Sequence, residues 1–133
     1  MDELDKKIIE MLEKNSRESF LNISKTLKVS EGTIRKRVKN LLKKGVIERF
    51  TLKLKREVAA IIGLETNPSV KTEDIIKRLQ KLKINTIYEV AGRFDVVCMI
   101  EVETMEDMNN LLEAIRATEG VIHTETFTVL KQR

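Results

Sequence analysis

The chain has 133 residues, enough for one ordinary domain or two small ones. Hydrophobic residues make up 41% and charged residues 35%, which excludes a disordered chain, and no apolar run approaches the ~20 residues of a membrane helix. The net charge of +4 conceals a split: residues 1–56 hold 16 Lys and Arg against 8 Asp and Glu, and residues 57–133 hold 9 against 13. Within residues 28–56 the ratio is 11 basic to 2 acidic, too lopsided for an ordinary mixed surface. Two domains with different partners are expected, and the basic one suits a polyanion such as nucleic acid. The acidic start, Met1-Asp2-Glu3-Leu4-Asp5, is not that of a signal peptide. The single cysteine, Cys98, excludes an internal disulfide and a cysteine-based zinc site, and fits a reducing cytosol. With one histidine besides, His123, most nucleophilic and metal-dependent hydrolytic mechanisms are disfavoured.

Leu4, Ile8, Met11 and Leu12 recur at helical spacing and predict a first helix. A second, short helix covers about Phe20 to Leu27, with Leu21, Ile23, Ser24 and Leu27 as its inner face. Ser30 is an N-cap residue for a third helix from about Glu31 to Lys44, and Gly45 is its natural stop in the left-handed conformation. Ile34, Val38, Leu41 and Leu42 form the third helix's apolar stripe. At about 100° per residue the opposite face carries Gly32, Lys36, Lys39 and Lys43, with Thr33 and Asn40 beside them and Arg35 and Arg37 flanking. Two helices joined by a tight turn, the second basic outside and apolar inside, form a helix-turn-helix. Ser30, Gly32, Thr33, Arg35, Lys36, Lys39, Asn40 and Lys43 are the expected DNA-facing set. Arg37 is open to a second role, a structural ion pair. Val46 to Leu54 alternates and predicts a small β-wing and a strand leading out.

In the second half, Val58 to Glu65 is apolar and partly β-branched, a strand buried on both faces. Thr72 caps a helix whose stripe is Ile75, Ile76, Leu79 and Leu82. Thr86 to Ala91 is a strand, Gly92-Arg93-Phe94-Asp95 a turn, and Val96 to Val102 a very apolar strand. Thr104 caps the next helix, with Asp107 at the capping-box position and a stripe of Met108, Leu111, Leu112 and Ile115. Val121 to Leu130 is the last strand. The order β-α-β-β-α-β is the ferredoxin-like arrangement, with both helices on one face of an antiparallel sheet. The other face is too apolar for water, so a second sheet or subunit is expected to cover it, making a dimer.

The pieces Leu4-Asp5 with Ile8-Ile9, Ser30 to Val38 with Leu41, Gly45-Val46-Ile47, Gly92 to Asp95, and Gly120-Val121 with Thr124, Thr126 and Val129-Leu130 resemble the Lrp/AsnC (feast/famine) family of transcription regulators. The resemblance covers nearly the whole chain. It implies an α+β protein: a winged helix-turn-helix over residues 1–50, a linker strand over 51–57, and a ferredoxin-like domain over 58–133 that senses an amino acid and dimerises. It also implies dimers that assemble into tetramers, octamers or higher forms, in the cytoplasm. Lys28 and Ser24 depart from the Gly and Ala common in such motifs, and the linker and first strand look short.

Under this reading the chain is a sequence-specific DNA-binding regulator, with no cofactor but with an amino-acid effector. A dimer places two recognition helices about 34 Å apart on a near-palindromic operator in double-stranded DNA. The resemblance places the effector near the 92–95 turn and the last strand. There Asp95 offers an acceptor, Arg93 and the amides of Gly92 and Phe94 offer donors, and Thr124 and Thr126 share one strand face. The bland reading of Gly92 and Asp95 is a tight hairpin only. Two rivals stand beside the regulator: an architectural DNA-binding protein without an effector, and an enzyme on a ferredoxin-like dimer. The enzyme would have only His123 and Tyr88 as acid-base groups other than carboxylates.

Overall fold

The computed structural model describes all residues, 1–133, and they divide into two compact units, Met1–Lys53 and Leu54–Arg133. No helix is long and apolar enough to cross a membrane. The first unit holds α1 (Glu3–Lys14), α2 (Phe20–Leu27) and α3 (Glu31–Lys43). Asp2 caps α1 and forms a reciprocal capping box with Asp5, a short-range signal the apolar periodicity does not carry. Ile8, Leu12, Ile23, Ile34 and Val38 meet at the centre, with Leu4, Met11, Phe20, Leu27 and Val29 packed around them. On α2 the inward set is Phe20, Ile23, Ser24 and Leu27, spaced i, i+3, i+4, i+7; Leu21 falls outside that arc and is half exposed. Leu42 at the end of α3 is likewise exposed. Ser24 is 4% exposed, and its hydroxyl donates to the Leu21 carbonyl at 2.6 Å, so a polar group sits in the core at no loss of hydrogen bonding.

The tight turn between α2 and α3 is built on Lys28, whose backbone is left-handed (φ 57°, ψ 44°). It is the only non-glycine residue with positive φ. A side chain in that conformation costs about 1–2 kcal/mol. Lys28→Gly is therefore expected to raise the stability of this unit by about 1 kcal/mol, after glycine's greater freedom in the unfolded chain is subtracted. Thermal unfolding of the two proteins measures it. Gly45 (φ 74°) ends α3 as expected. The following segment differs: residues 46–54 form no strand, and Val46, Phe50, Leu52 and Leu54 stay exposed. Alternation alone makes no strand, because a ladder needs a partner, and this segment has none in its own chain.

The second unit runs β1 (Val58–Thr66), α4 (Thr72–Gln80), β2 (Thr86–Glu89), β3 (Val96–Val102), α5 (Met105–Arg116) and β4 (Val121–Thr128). The four strands form one antiparallel sheet in the order β2-β3-β1-β4, the ferredoxin-like topology. The core lies between one sheet face and the helices: Ala60, Ile62 and Leu64 of β1 face Ile100, Cys98 and Val96 of β3, and Ile75, Leu79, Met108, Leu111 and Ile115 close over them. Three local expectations are corrected. Thr72 is the first helical residue, not the cap of α4; Lys71 holds the cap position and makes no side-chain cap bond. Thr104 does cap α5, but Asp107 does not return the bond. β2 ends at Glu89 and β4 at Thr128, leaving Leu130 in the open. Gly120, before β4, has φ 97°, and a Cβ there would lie 2.6 Å from Ile75. The sheet face without helices carries Ile61, Val97 and Met99, partly buried, and Tyr88 and Phe127, half exposed.

Candidate nucleic-acid interface and effector turn

α3 presents the first candidate site. Ser30 caps it, accepting from the Thr33 amide at 3.1 Å, and the two hydroxyls are 2.8 Å apart, so both already have a structural partner. Gly32 is exposed, and a Cβ there would meet nothing closer than 4.0 Å, which leaves the helix surface open to close approach. Arg35, Lys36, Lys39, Asn40 and Lys43 are exposed along the same side. Arg35 pairs with Glu31 at 2.9 Å one turn back. Lys36, Lys39 and Lys43 form no ion pair, so their charges face solvent unneutralised. Three free cations about one helical turn apart on one helix face match the anionic backbone of a duplex.

The structure decides Arg37. Its guanidinium donates to Asp2 and, at 3.3 Å, to Asp5, the two residues of the α1 capping box, so it ties α1 to α3. The Arg37 hydrogen bond holds the Asp2 carboxyl down at about 2, from an ordinary 3.8, and raises Arg37 in turn. A carboxylate whose value is depressed on folding adds stability above its unfolded value and loses it as the pH falls through the folded one. Arg37→Ala is thus expected to lower the melting temperature at neutral pH. The gap should close between about pH 4 and 2, where Asp2 protonates. Melting curves of both proteins across that range test this.

The second candidate site is the turn between β2 and β3. Gly92 has φ 147°. Asp95 is spent internally: its carboxylate accepts from the Thr66 amide at 2.8 Å and the Thr66 hydroxyl at 3.1 Å, and its amide donates to Leu64 at 2.9 Å. Asp95 therefore braces the turn against the end of β1. The Phe94 ring lies over Gly63; a Cβ on Gly63 would be 2.5 Å from it. The Arg93 guanidinium sits 5.5 Å from the Phe94 ring centroid and 3.2 Å from Glu125 on β4. Gly63 and Glu125 are register partners, so Phe94, Arg93 and Glu125 gather at one spot on the helix-free face. Thr124 and Thr126 do share a strand face, but it is the other one. They pair with Leu64 and Ile62, whose side chains point into the helix-packed core. A strand alternates sides with every residue, so the threonines and the Arg93–Phe94 pair lie across the sheet from one another.

The periodic patterns singled out the turn but missed Gly63 and Glu125. A glycine alone inside an apolar strand was the available signal for close approach; nothing local marked Glu125. Cys98 is fully buried, and burial pushes its thiol up to about 11. No three His, Cys, Asp or Glu side chains are grouped closely enough to hold a metal ion.

Both halves of the chain match known proteins. Residues 1–48 match the winged helix-turn-helix DNA-binding family, and residues 59–133 match the Lrp/AsnC ligand binding domain. The chain is 37% identical to the HTH-type transcriptional regulator LysM of Sulfurisphaera tokodaii, over 98% of its own length and 96% of that protein's. It is 35% identical to LysM of Saccharolobus solfataricus, over 98% and 94%. Among solved structures it superimposes on AsnC of Escherichia coli with a TM-score of 0.84 at 22% identity, covering 99% of this chain and 93% of that one. It also superimposes on a feast or famine regulatory protein of Mycobacterium tuberculosis complexed with L-methionine, with a TM-score of 0.87 at 20% identity, covering 98% and 92%. With both halves matched in order and full-length relatives named as transcriptional regulators, the chain belongs to the Lrp/AsnC family of DNA-binding transcriptional regulators.

Proposed function

We propose that this regulator reads a near-palindromic operator as a dimer through α3, and that a free amino acid at the Gly92–Asp95 turn tunes its binding. The observation that carries the DNA reading is the unpaired row of Lys36, Lys39 and Lys43 on the exposed side of α3. These lysines, with Arg35 and Asn40, hold phosphates; Gly32 and Thr33 at the helix start come near base edges, and the Ser30 cap fixes the helix's entry. The apolar helix-free face, with Ile61, Val97, Met99, Tyr88 and Phe127, supports dimer formation by sheet-to-sheet packing. Higher assembly builds on that dimer.

For the effector, Arg93 and Glu125 supply the two charges a zwitterion needs: the guanidinium for its carboxylate, the carboxylate for its ammonium. The Gly92 and Phe94 amides are further donors. Asp95 serves as the brace, and Thr124 and Thr126 lie outside this site. The complex of a like-folded protein with L-methionine supports the ligand class. A gel-shift titration on DNA upstream of the protein's own gene, with random DNA as competitor and each amino acid added in turn, tests the reading. A competitor-resistant complex that one amino acid shifts, and that Arg93→Ala makes unresponsive, is the expected result. Thr126→Ala should respond as the parent does. A smear equally competed by random DNA and indifferent to every amino acid would replace the regulator with an architectural protein.

A further inference from the structure

Lys28 holds the turn between α2 and α3 in a left-handed backbone, φ 57° and ψ 44°, which glycine adopts without steric penalty. Ser24 fixes the turn: its carbonyl accepts from the Lys28 amide and, at 3.1 Å, from the Val29 amide. None of these bonds uses the lysine side chain. That side chain is exposed and forms no ion pair. Residues 19–30 contain no carboxylate that could neutralise it. The acids on either side are engaged: Glu18 accepts from Asn22 at 2.9 Å, and Glu31 from Arg35 at 2.9 Å. Lys28 is thus a free cation at a position where a side chain strains the backbone, and no internal contact offsets that strain. Residues held in such conformations gather where function needs them.

The position of Lys28 beside α3 shows what its charge can serve. It precedes Ser30, the N-cap of α3, by two residues, so the two Cα atoms lie within about 7 Å. The lysine stem adds about 6 Å of reach. A major groove is about 12 Å wide, with phosphates along both rims. When the start of α3 lies in the groove, the Lys28 ammonium comes within reach of a rim. The first turn of α3, Glu31 to Ile34, carries no cation of its own. Lys28 supplies one at that end, and Lys36, Lys39 and Lys43 supply the rest further along.

We propose that Lys28 is a phosphate-contacting residue of the DNA interface, a cation outside the recognition helix held in a strained backbone for its charge. The proposal rests on the reading that α3 meets the duplex. Binding of the full-length protein to a random-sequence duplex at several salt concentrations tests it with three variants. Lys28→Gly and Lys28→Asn remove the charge, and both residues suit a left-handed backbone. Lys28→Arg keeps the charge and the strain. Lys28→Gly should melt at a higher temperature than the parent, and Lys28→Asn no lower. Both should nonetheless bind DNA about tenfold more weakly at moderate salt, with a slope of log affinity against log salt shallower by about two per dimer. Lys28→Arg should keep the parent's slope and affinity. A merely structural Lys28 gives a stabler Lys28→Gly protein with the parent's slope, and that result would overturn the proposal. Weaker binding of Lys28→Gly at an unchanged slope would also overturn it, by tracing the loss to the mechanics of the turn. The variant with Lys36, Lys39 and Lys43 all replaced by alanine separates the two readings. If its slope falls while that of Lys28→Gly does not, only the role of Lys28 fails. If it too keeps the parent's slope, both readings fail together.

Discussion

Replacing Lys36, Lys39 and Lys43 together with alanine is expected to remove high-affinity DNA binding while the protein stays folded. All three side chains are exposed and unpaired, so none contributes to the core or to an internal ion pair. Their expected contribution is the release of counterions from the duplex. Each phosphate neutralised contributes about 0.9 to the slope of log affinity against log salt. Three lysines on each protomer of a dimer amount to roughly five in that slope. At moderate salt such a change costs affinity on the order of 10³-fold, about equally for operator and random DNA, because phosphate contacts position the protein without reading sequence. Binding curves at several salt concentrations measure both quantities. A variant with the parent's slope would mean that the basic face of α3 does not meet the duplex. Gly32 and Thr33 should behave in the opposite manner: changes there should alter which sequence is preferred and leave the slope alone.

Gly63→Ala is expected to uncouple the effector from DNA binding. A Cβ at this position would stand 2.5–2.6 Å from three ring carbons of Phe94, Cγ among them, so no small rotation of the ring relieves the clash. Either Phe94 leaves its seat or β1 shifts, and overpacking of this kind costs about 1–3 kcal/mol. Phe94 is the lighter of the two to move, since β1 is held on both sides by β3 and β4. When the ring leaves, the Arg93 guanidinium loses its neighbour, and the pair with Glu125 loses its fixed geometry. The variant should bind DNA as the parent does without amino acid and fail to respond when amino acid is added. A double-mutant cycle isolates the cause. In a Phe94→Ala background the same glycine substitution should cost much less, because the three atoms nearest the new Cβ, all in the Phe94 ring, are gone. If Gly63→Ala destabilises equally in both backgrounds, the glycine is serving the strand and not the turn.

Much of this could be read in the sequence because the signals are periodic and local. Helix spacing identified Ile8, Ile34 and Val38, and strand alternation with turn residues placed β1 and β3, since core burial dictates both periods. The failures have equally physical causes. Leu21 is apolar, but it lies about 100° around the helix from Phe20, off the arc that Phe20, Ile23, Ser24 and Leu27 fill. Residues 46–54 have strand alternation but no partner strand within the chain. Thr124 and Thr126 share one face, as their spacing of two predicts. Which face it is depends on register against Leu64 and Ile62, a long-range fact that no local window contains. The same holds for Glu125 opposite Arg93 and for Asp2 and Asp5 beside Arg37, pairs that lie over 30 residues apart and are made only by the fold. Charge asymmetry, by contrast, is a property of composition, and it pointed to nucleic acid before any element was placed.

If a dimer presents two α3 helices to one operator, a footprint on the DNA upstream of the protein's own gene should reveal both. Two protected half-sites are expected, related by a near-palindrome and centred about 34 Å apart on the duplex, with an occupancy that changes when one amino acid is added. Uniform protection spreading along the DNA without discrete half-sites, at the same protein concentration on random sequence, would contradict it.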